Sequence, residues 1–222
     1  MDRNHNYTYM AAAAVLVIIG IAIMAGNASK MSFLPAVIAV STSTIQTETP
    51  IYSIKADYPV FGIPALDSQI VDAVNVGVAD IEGTPPNPSP NHIKNEFSST
   101  YDSVYTDASI ASARLLLSEY TGGAHDITVA TGVNYDRSTG AFLTLGDALA
   151  LTGDTLDQVS AIAKSQLIKR YGSVAFPKGL AATSTNYSAF TIDKDSVTFT
   201  IQEYQAEPYS DGMPQIVIPR IR

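Results

Sequence analysis

The chain has no cysteine and no tryptophan, and charged residues make up only 15% of its 222 positions. The missing cysteine excludes disulfides, thiolate metal sites, cysteine nucleophiles and a lipoprotein anchor built on an N-terminal cysteine. Stability must then come from packing alone. Histidine is scarce too: His5, His92 and His125 are the three present, and no two have metal-ligand spacing. No Gly-x-Ser-x-Gly elbow, phosphate loop or dinucleotide fingerprint occurs, so no familiar covalent or cofactor chemistry is written in the chain. No cofactor is expected.

Basic residues are few where they would matter. Asp2, Arg3 and Lys30 are the charges before residue 41, which leaves 20 acids and 11 bases beyond it. An acidic body repels phosphate backbones and anionic headgroups, so nucleic acid is not expected as a partner. A cationic partner is compatible with that charge.

What the sequence does hold is one long apolar run. Met10 to Gly26 carries no charge and shows no polar face, unlike a soluble core helix. Extended to Ala28, it approaches the ~20 residues that span a bilayer. Two readings stay open: a retained signal anchor over 10–28, or a signal peptide cleaved after Ala28, where Gly26-Asn27-Ala28 offers small residues. Either delivers the large C-terminal part outside the cytoplasm, because residues 1–9 cannot fold as a domain.

The thread beyond it reads as strands with interspersed helices. Ser41 to Thr49 is Thr/Ser-rich and is read as the end of a linker over 29–50. Ile51 to Tyr58 is β-prone. Asp67 or Ser68 is placed to cap a helix whose Leu66, Ile70, Val74, Val78 and Ile81 share one face. Four prolines within Gly83–Pro90 end it. Strand-like runs follow at 96–106, 108–120, 126–135 and 141–145, with short connections that predict an antiparallel meander. The non-alternating Leu115-Leu116-Leu117 implies burial on both faces or a register slip. A helix opens near Asp147, and Thr155-x-x-Gln158 has capping-box form before a second one that stops at Gly172. Phe190–Ile192, Val197–Gln202 and Gln215–Pro219 close the chain as strands, with Val197, Phe199 and Ile201 facing a core. The fold class expected is α+β, an antiparallel sheet or sheets with packed helices, preceded by one transmembrane helix.

Candidate site residues are few. His125 follows the Gly122-Gly123 bend, where backbone can approach a ligand; the alternative is that its ring satisfies local backbone groups. Among 12 tyrosines, Tyr101, Tyr105, Tyr120, Tyr204 and Tyr209 can line a glycan- or protein-binding surface, or simply close the sheet. Asp193 and Asp195 are paired carboxylates or a solvated hairpin turn. Tyr120, His125, Tyr204 and Tyr209 are the ligand-binding candidates; no catalytic or metal-binding residue is assigned.

Three blocks carry a family resemblance. Gly122-Gly123-Ala124-His125 precedes a strand; Asn134-Tyr135-Asp136 is followed by Thr139-Gly140, Leu143-Thr144-Leu145 and Asp147. Phe199-Thr200-Ile201-Gln202-Glu203-Tyr204 is followed by Pro208-Tyr209, Gly212 and Ile216-Val217-Ile218-Pro219. In order and spacing these resemble the RsiV-like domains of lysozyme-sensing anti-sigma factors. The region from Tyr52 to Ile81, with Tyr58-Pro59 and Asn75, resembles the module that precedes such domains in peptidoglycan deacetylases of the PdaC type. The division implied is 51–118 for that first module and 119–222 for the RsiV-like domain. The resemblance implies an extracytoplasmic α+β module on a membrane anchor, in the bacterial envelope, with a cell-wall glycan or a lysozyme-like protein as ligand. Met1 to Tyr9 leave no room for a sigma-binding segment, so an anti-sigma role is not expected. The metal-binding motifs of a deacetylase domain are not found, so the expectation is a binding or sensing module rather than an enzyme. An envelope hydrolase without recognised motifs, or a structural subunit, is the alternative.

Overall fold

The computed structural model describes residues 38–87 and 93–221. The apolar run 10–28, His5 and His92 lie outside them. Among the described residues no helix is long and apolar enough to cross a membrane. Six strands form one sheet in the order of the chain: β1 (Ser41–Glu48), β2 (Tyr52–Val60), β3 (Asn95–Thr106), β4 (Ile110–Tyr120), β5 (Ile127–Asp136) and β6 (Ala141–Phe142). Helix α1 (Pro64–Gly83) links β2 to β3; α2 (Leu145–Thr152) and α3 (Leu156–Tyr171) follow β6. Three further strands, β7 (Phe190–Ile192), β8 (Ser196–Thr200) and β9 (Gln215–Pro219), make a second sheet, antiparallel throughout. The α+β class holds.

Several expectations need correction. The Thr/Ser stretch read as linker is the edge strand β1, paired residue for residue with β2 from Ser41↔Val60 to Glu48↔Ser53. Threonine is β-prone, and its alternation leaves one row exposed while Ile45 turns inward. The large sheet is not wholly antiparallel, since β2 and β3 run parallel from Tyr52↔Asn95 to Ala56↔Ser99. The helical crossover α1 between them makes that direction possible. Helix α1 starts earlier than expected, with Pro64 in its first turn, a position that suits a residue lacking N–H. Asp67 does not cap it; its carboxylate accepts the Phe61 N–H at 2.8 Å. The stretch 141–145 is strand only over Ala141–Phe142, because Thr144 caps α2 in a box with Asp147. The division drawn at 118/119 falls inside β4.

Other elements match the reading. Thr155 and Gln158 form the capping box of α3, and Gly172 ends it in the left-handed conformation. Val197, Phe199 and Ile201 are fully buried. Asp193 accepts the N–H groups of Asp195 and Ser196, so the acidic pair is a hairpin turn.

Each face of the large sheet has a different cover. On the front, Leu66 and Ile70 of α1 pack on Ala111, Ala113, Leu115 and Val133. On the back, β7 lies against β4 and β5, while α2 and α3 pack on the small sheet around Val159, Ala163, Val197, Phe199 and Ile216. That double cover buries Ile110 to Leu115 on both sides, whereas Leu116 and Leu117 are only half-buried. The joint at the back is polar. The Ser112 hydroxyl donates to Asn134 Oδ1 (2.7 Å) and accepts the Ile192 N–H (3.0 Å); Asn134 Nδ2 donates to the Phe190 carbonyl (2.8 Å). Arg114 donates to both oxygens of Asp102, at 2.7 and 2.6 Å, and to Thr200 Oγ1 at 3.2 Å. Gly132 is needed for this approach, since a Cβ there would stand 1.7 Å from the Phe190 carbonyl oxygen.

Candidate functional site

Past Arg114 the small sheet no longer covers the back face, and the residues singled out from sequence gather there. The β4–β5 connection bends at Gly122-Gly123 and returns through His125 and Asp126. Opposite it runs the segment after β8, from Ile201 to Tyr209. Its course is fixed at two points. Gln202 binds the free edge of β5 like a short strand: its Oε1 accepts the Ala130 N–H, and its Nε2 donates to the Ala130 carbonyl, both at 2.8 Å. Glu203 Oε2 accepts the Thr128 N–H at 3.0 Å. Gln205 then donates through Nε2 to the carbonyls of Gly179 (2.7 Å) and Asn186 (3.0 Å). Gly179 admits this contact, because a Cβ there would lie 1.6 Å from the Gln205 carbonyl oxygen.

Between those anchors the Gln205 N–H bonds the Gln202 carbonyl at 3.1 Å, closing a tight turn. Tyr204 sits at its third position with φ +59°, a conformation usually given to Gly or Asn. Such strain in a bulky residue persists only where the surroundings over-determine it. Here it aims the ring at His125. The Tyr204 hydroxyl is 2.8 Å from His125 Nε2, and His125 Nδ1 is 2.6 Å from the Asp126 carbonyl oxygen. A carbonyl can only accept, so Nδ1 carries a proton and donates. Both ring nitrogens are therefore engaged, which fixes the orientation of the His125 ring.

Three rings lie nearly parallel. His125 and Tyr209 stack at 3.7 Å between centroids and 20° between planes. Tyr204 lies 6.0 Å from His125 and 5.8 Å from Tyr209. Tyr204 is the outermost, 48% exposed. Asp126 ties the stack to the sheet: the Tyr209 hydroxyl donates to its Oδ1 at 3.3 Å and the Ser118 hydroxyl to its Oδ2. The Ser118 hydrogen bond, helped by that from Tyr209, holds the Asp126 carboxyl below its ordinary range. Lost hydration and the carboxylates of Asp126 and Glu203 push the Tyr209 hydroxyl above its own.

Beside the stack lies a cleft of about 510 Å³, lined by Ile93, Glu96, Ser98, Ser118, Tyr120 and Asp126. Tyr120 stands in its wall, with its hydroxyl donating to the Gly123 carbonyl at 3.1 Å. The structure thus brings His125, Tyr204 and Tyr209 into one cluster and sets Tyr120 across Asp126 from them. Tyr101 and Tyr105 are elsewhere. Tyr101 packs against the core under α1, and Tyr105 packs beside the small sheet and donates to Asp107. Burial, then the Asp107 carboxylate, pushes the Tyr105 hydroxyl up to about 12. Asp126, Glu96, Ser98 and Ser118 were not singled out from sequence. The pairing Ser98↔Ser118↔Thr128 places them on the same face, and alternation from Thr128 back to Asp126 was the available signal. Among the described residues no group of three His, Asp or Glu side chains is placed to hold a metal ion.

Comparison with known proteins finds relatives of the chain. Residues 149–220 match the family model "Protein of unknown function (DUF3298)", a span holding α3, the small sheet, Tyr204 and Tyr209 but neither Tyr120 nor His125. The chain is 26% identical over 187 residues to the peptidoglycan-N-acetylmuramic acid deacetylase PdaC of Bacillus subtilis, which covers 82% of this chain. It spans 40% of that enzyme's length. It is 23% identical over 179 residues to the immunogenic protein MPT64 of Mycobacterium tuberculosis, covering 79% of this chain and 78% of that one. Two crystal structures of DUF3298 family proteins share the fold. The one from Pseudomonas aeruginosa has a TM-score of 0.59 at 17% identity, covering 82% of this chain and 90% of its own. That from Bacteroides fragilis has a TM-score of 0.51 at 21% identity, covering 82% and 91%. This chain is thus similar to DUF3298 proteins in both sequence and fold.

Proposed function

We propose that this chain is a non-catalytic binding module of the bacterial envelope, tethered by its N-terminal apolar run and facing outward, with a cell-wall glycan as its ligand. The observation that carries the reading is the ring stack of His125, Tyr209 and Tyr204, kept at the surface by a strained turn. Stacked, half-exposed aromatics next to carboxylates and hydroxyls suit a sugar, whose C–H faces meet rings while its hydroxyls take hydrogen bonds. The anchor rests on the uncharged run from Met10 to Ala28. The envelope setting rests on the RsiV-like resemblance and on the similarity to a peptidoglycan deacetylase, of which this chain spans less than half.

A second reading has an observation of its own. Asp126 and Glu203 lie beside the stack, Glu96 lines the adjoining cleft, and the chain is acidic overall, with a formal net charge of −8. That field attracts a cationic protein such as a lysozyme. Full-length protein in detergent separates the readings when mixed with peptidoglycan sacculi and, separately, with lysozyme. Retention on sacculi that falls at least about tenfold in Tyr209→Ala supports the glycan. Lysozyme binding without sacculus binding replaces it by the protein. Sugar turnover abolished by His125→Ala or Asp195→Asn returns the hydrolase reading. Protease added to intact cells tests the orientation, since a body left uncut until lysis would place it inside.

A further inference from the structure

The two edges of the large sheet are finished differently. At β5 the edge is closed: β6 pairs with it at Tyr135 and Asp136, Gln202 takes the N–H and carbonyl of Ala130, and Glu203 takes the Thr128 N–H. At β1, among the described residues, no strand pairs with the outer side. Exposed edges are usually blunted by proline, lysine or a bulge. Ser41–Glu48 (STSTIQTE) has none of these, and its pairing with β2 runs unbroken over all 8 residues. Its single charge, Glu48, stands at the end of the strand and is ion-paired with Lys94.

The hairpin that joins β1 to β2 decides which backbone groups point outward. The Thr49 N–H donates to the Tyr52 carbonyl at 2.9 Å, so Thr49 and Tyr52 are a hydrogen-bonded pair. Such pairs alternate along an antiparallel ladder. Counting back by twos, Thr47, Ile45, Ser43 and Ser41 turn their N–H and C=O toward β2. Thr42, Thr44, Gln46 and Glu48 therefore turn theirs away from it, and all four are exposed. Ile45 is the one aliphatic residue of the strand, half-buried against the cluster of Ile54, Ala56 and Val74.

We infer that β1 is a self-association edge, which pairs antiparallel with β1 of a second copy about a two-fold axis at Ile45. In that register Thr42 meets Glu48 and Thr44 meets Gln46, so about eight outward backbone bonds form and no like charges face each other. The two Ile45 side chains meet at the axis as a non-hydrogen-bonded pair, where side chains come closest, and join the two apolar clusters. A single edge contact buries less than the roughly 1,200 Å² of a stable free dimer, so the partner must be held nearby. A second copy is. The apolar run read as an anchor ends at Ala28, and the 12 residues 29–40 separate it from β1. That length reaches up to ~40 Å, whereas the two Ser41 residues stand roughly 27 Å apart in the pair. Both anchors therefore enter one bilayer, where the copies meet at high effective concentration. The inference rests on the tether of the proposed function and is independent of its glycan ligand.

The test is oxidative crosslinking in membranes, which a chain without cysteine keeps free of background. Full-length Ile45→Cys in cell membranes, treated with copper phenanthroline, should run mainly as a disulfide-linked dimer. Thr47→Cys lies on the same face but roughly 14 Å from its own copy, and should stay monomeric. Gln46→Pro, added to Ile45→Cys, removes an outward donor and leaves the bonds to β2 intact, as proline on an edge strand allows. Crosslinking should then fall at least about tenfold, with circular dichroism in detergent unchanged. If the proline variant misfolds, the contrast between positions 45 and 47 decides alone. Equal crosslinking at both positions, a dimer that survives Gln46→Pro, or no dimer from Ile45→Cys in the membrane fraction overturns the pairing. A chain found only in the soluble fraction overturns the tether instead, and the argument for a second copy with it.

Discussion

At one end of its back face the large sheet is roofed by β7, β8 and β9, while at the other it is bare. The roofed end is polar but closed. Ser112 and Asn134 are 0% and 3% exposed, and each bonds the other and the backbone of β7. Arg114, 7% exposed, is held by Asp102 and Thr200. These groups specify how the sheets dock, because an unpaired one would cost about 1–3 kcal/mol. The bare end has similar residue types in the opposite condition. Ser98 and Glu96 face solvent, Tyr204 holds an unfavourable backbone conformation, and three rings stack where no core needs them. Polar residues of one kind thus serve docking at one end of the strands and stay open to solvent at the other.

The sharpest way to break the comparison is to remove the roof. A methyl on Gly132 has no space, since the carbonyl carbon and oxygen of Phe190 are backbone atoms that cannot swing aside. Gly132→Ala should destabilise the protein by about 3 kcal/mol or more, beyond ordinary overpacking. Urea unfolding measures this. A loss under about 1 kcal/mol would mean that the two sheets are not packed as tightly as described. The substitution should also loosen the bare end, because Gln202 and Glu203 reach β5 from the segment that follows β8.

The opposite substitution separates stability from recognition. Tyr204→Gly relieves the left-handed strain, worth about 1–2 kcal/mol. It also loses the His125 hydrogen bond and the ring contact, and glycine adds chain entropy to the unfolded state. The two sides nearly cancel, so stability should change by less than about 1 kcal/mol. Glycan retention should nevertheless fall at least about tenfold. A large stability loss with binding intact would make the stack a packing element and remove its proposed role.

The roofed half was more legible in the sequence than the bare half, for a physical reason. Alternation in Val197–Ile201, the Thr155/Gln158 box and the Gln215–Pro219 strand are local patterns, and each appears where the sequence put it. Strand β1 was hidden because its residues bury little, and only pairing with β2 makes them a strand. The parallel β2–β3 pair depends on which way a crossover returns, which no local pattern encodes. At the site, His125, Tyr204 and Tyr209 were selected one by one. Their contact spans 79 residues of chain and needs Gln202 and Gln205 to hold the turn. Asp126 escaped notice because a carboxylate beside a bend looks like ordinary turn chemistry until the register sets Ser118 against it.

That carboxylate provides the smallest and most specific effect. Asp126 accepts from Ser118 and Tyr209, and its folded pKa lies below the ordinary carboxylate value of about 3.9. A group depressed in this way stabilises the fold above its unfolded pKa, and the stabilisation is lost as pH falls through the folded one. Asp126→Asn keeps the shape but cannot titrate. The stability gap between wild type and variant should therefore be full near neutrality and shrink toward zero below about pH 4. Urea midpoints of both proteins at pH 7 and in acid measure it. Curves that stay parallel across that range would show that the carboxylate draws nothing from its neighbours. The link between the stack and the sheet would then have to run through Gln202 and Glu203 instead.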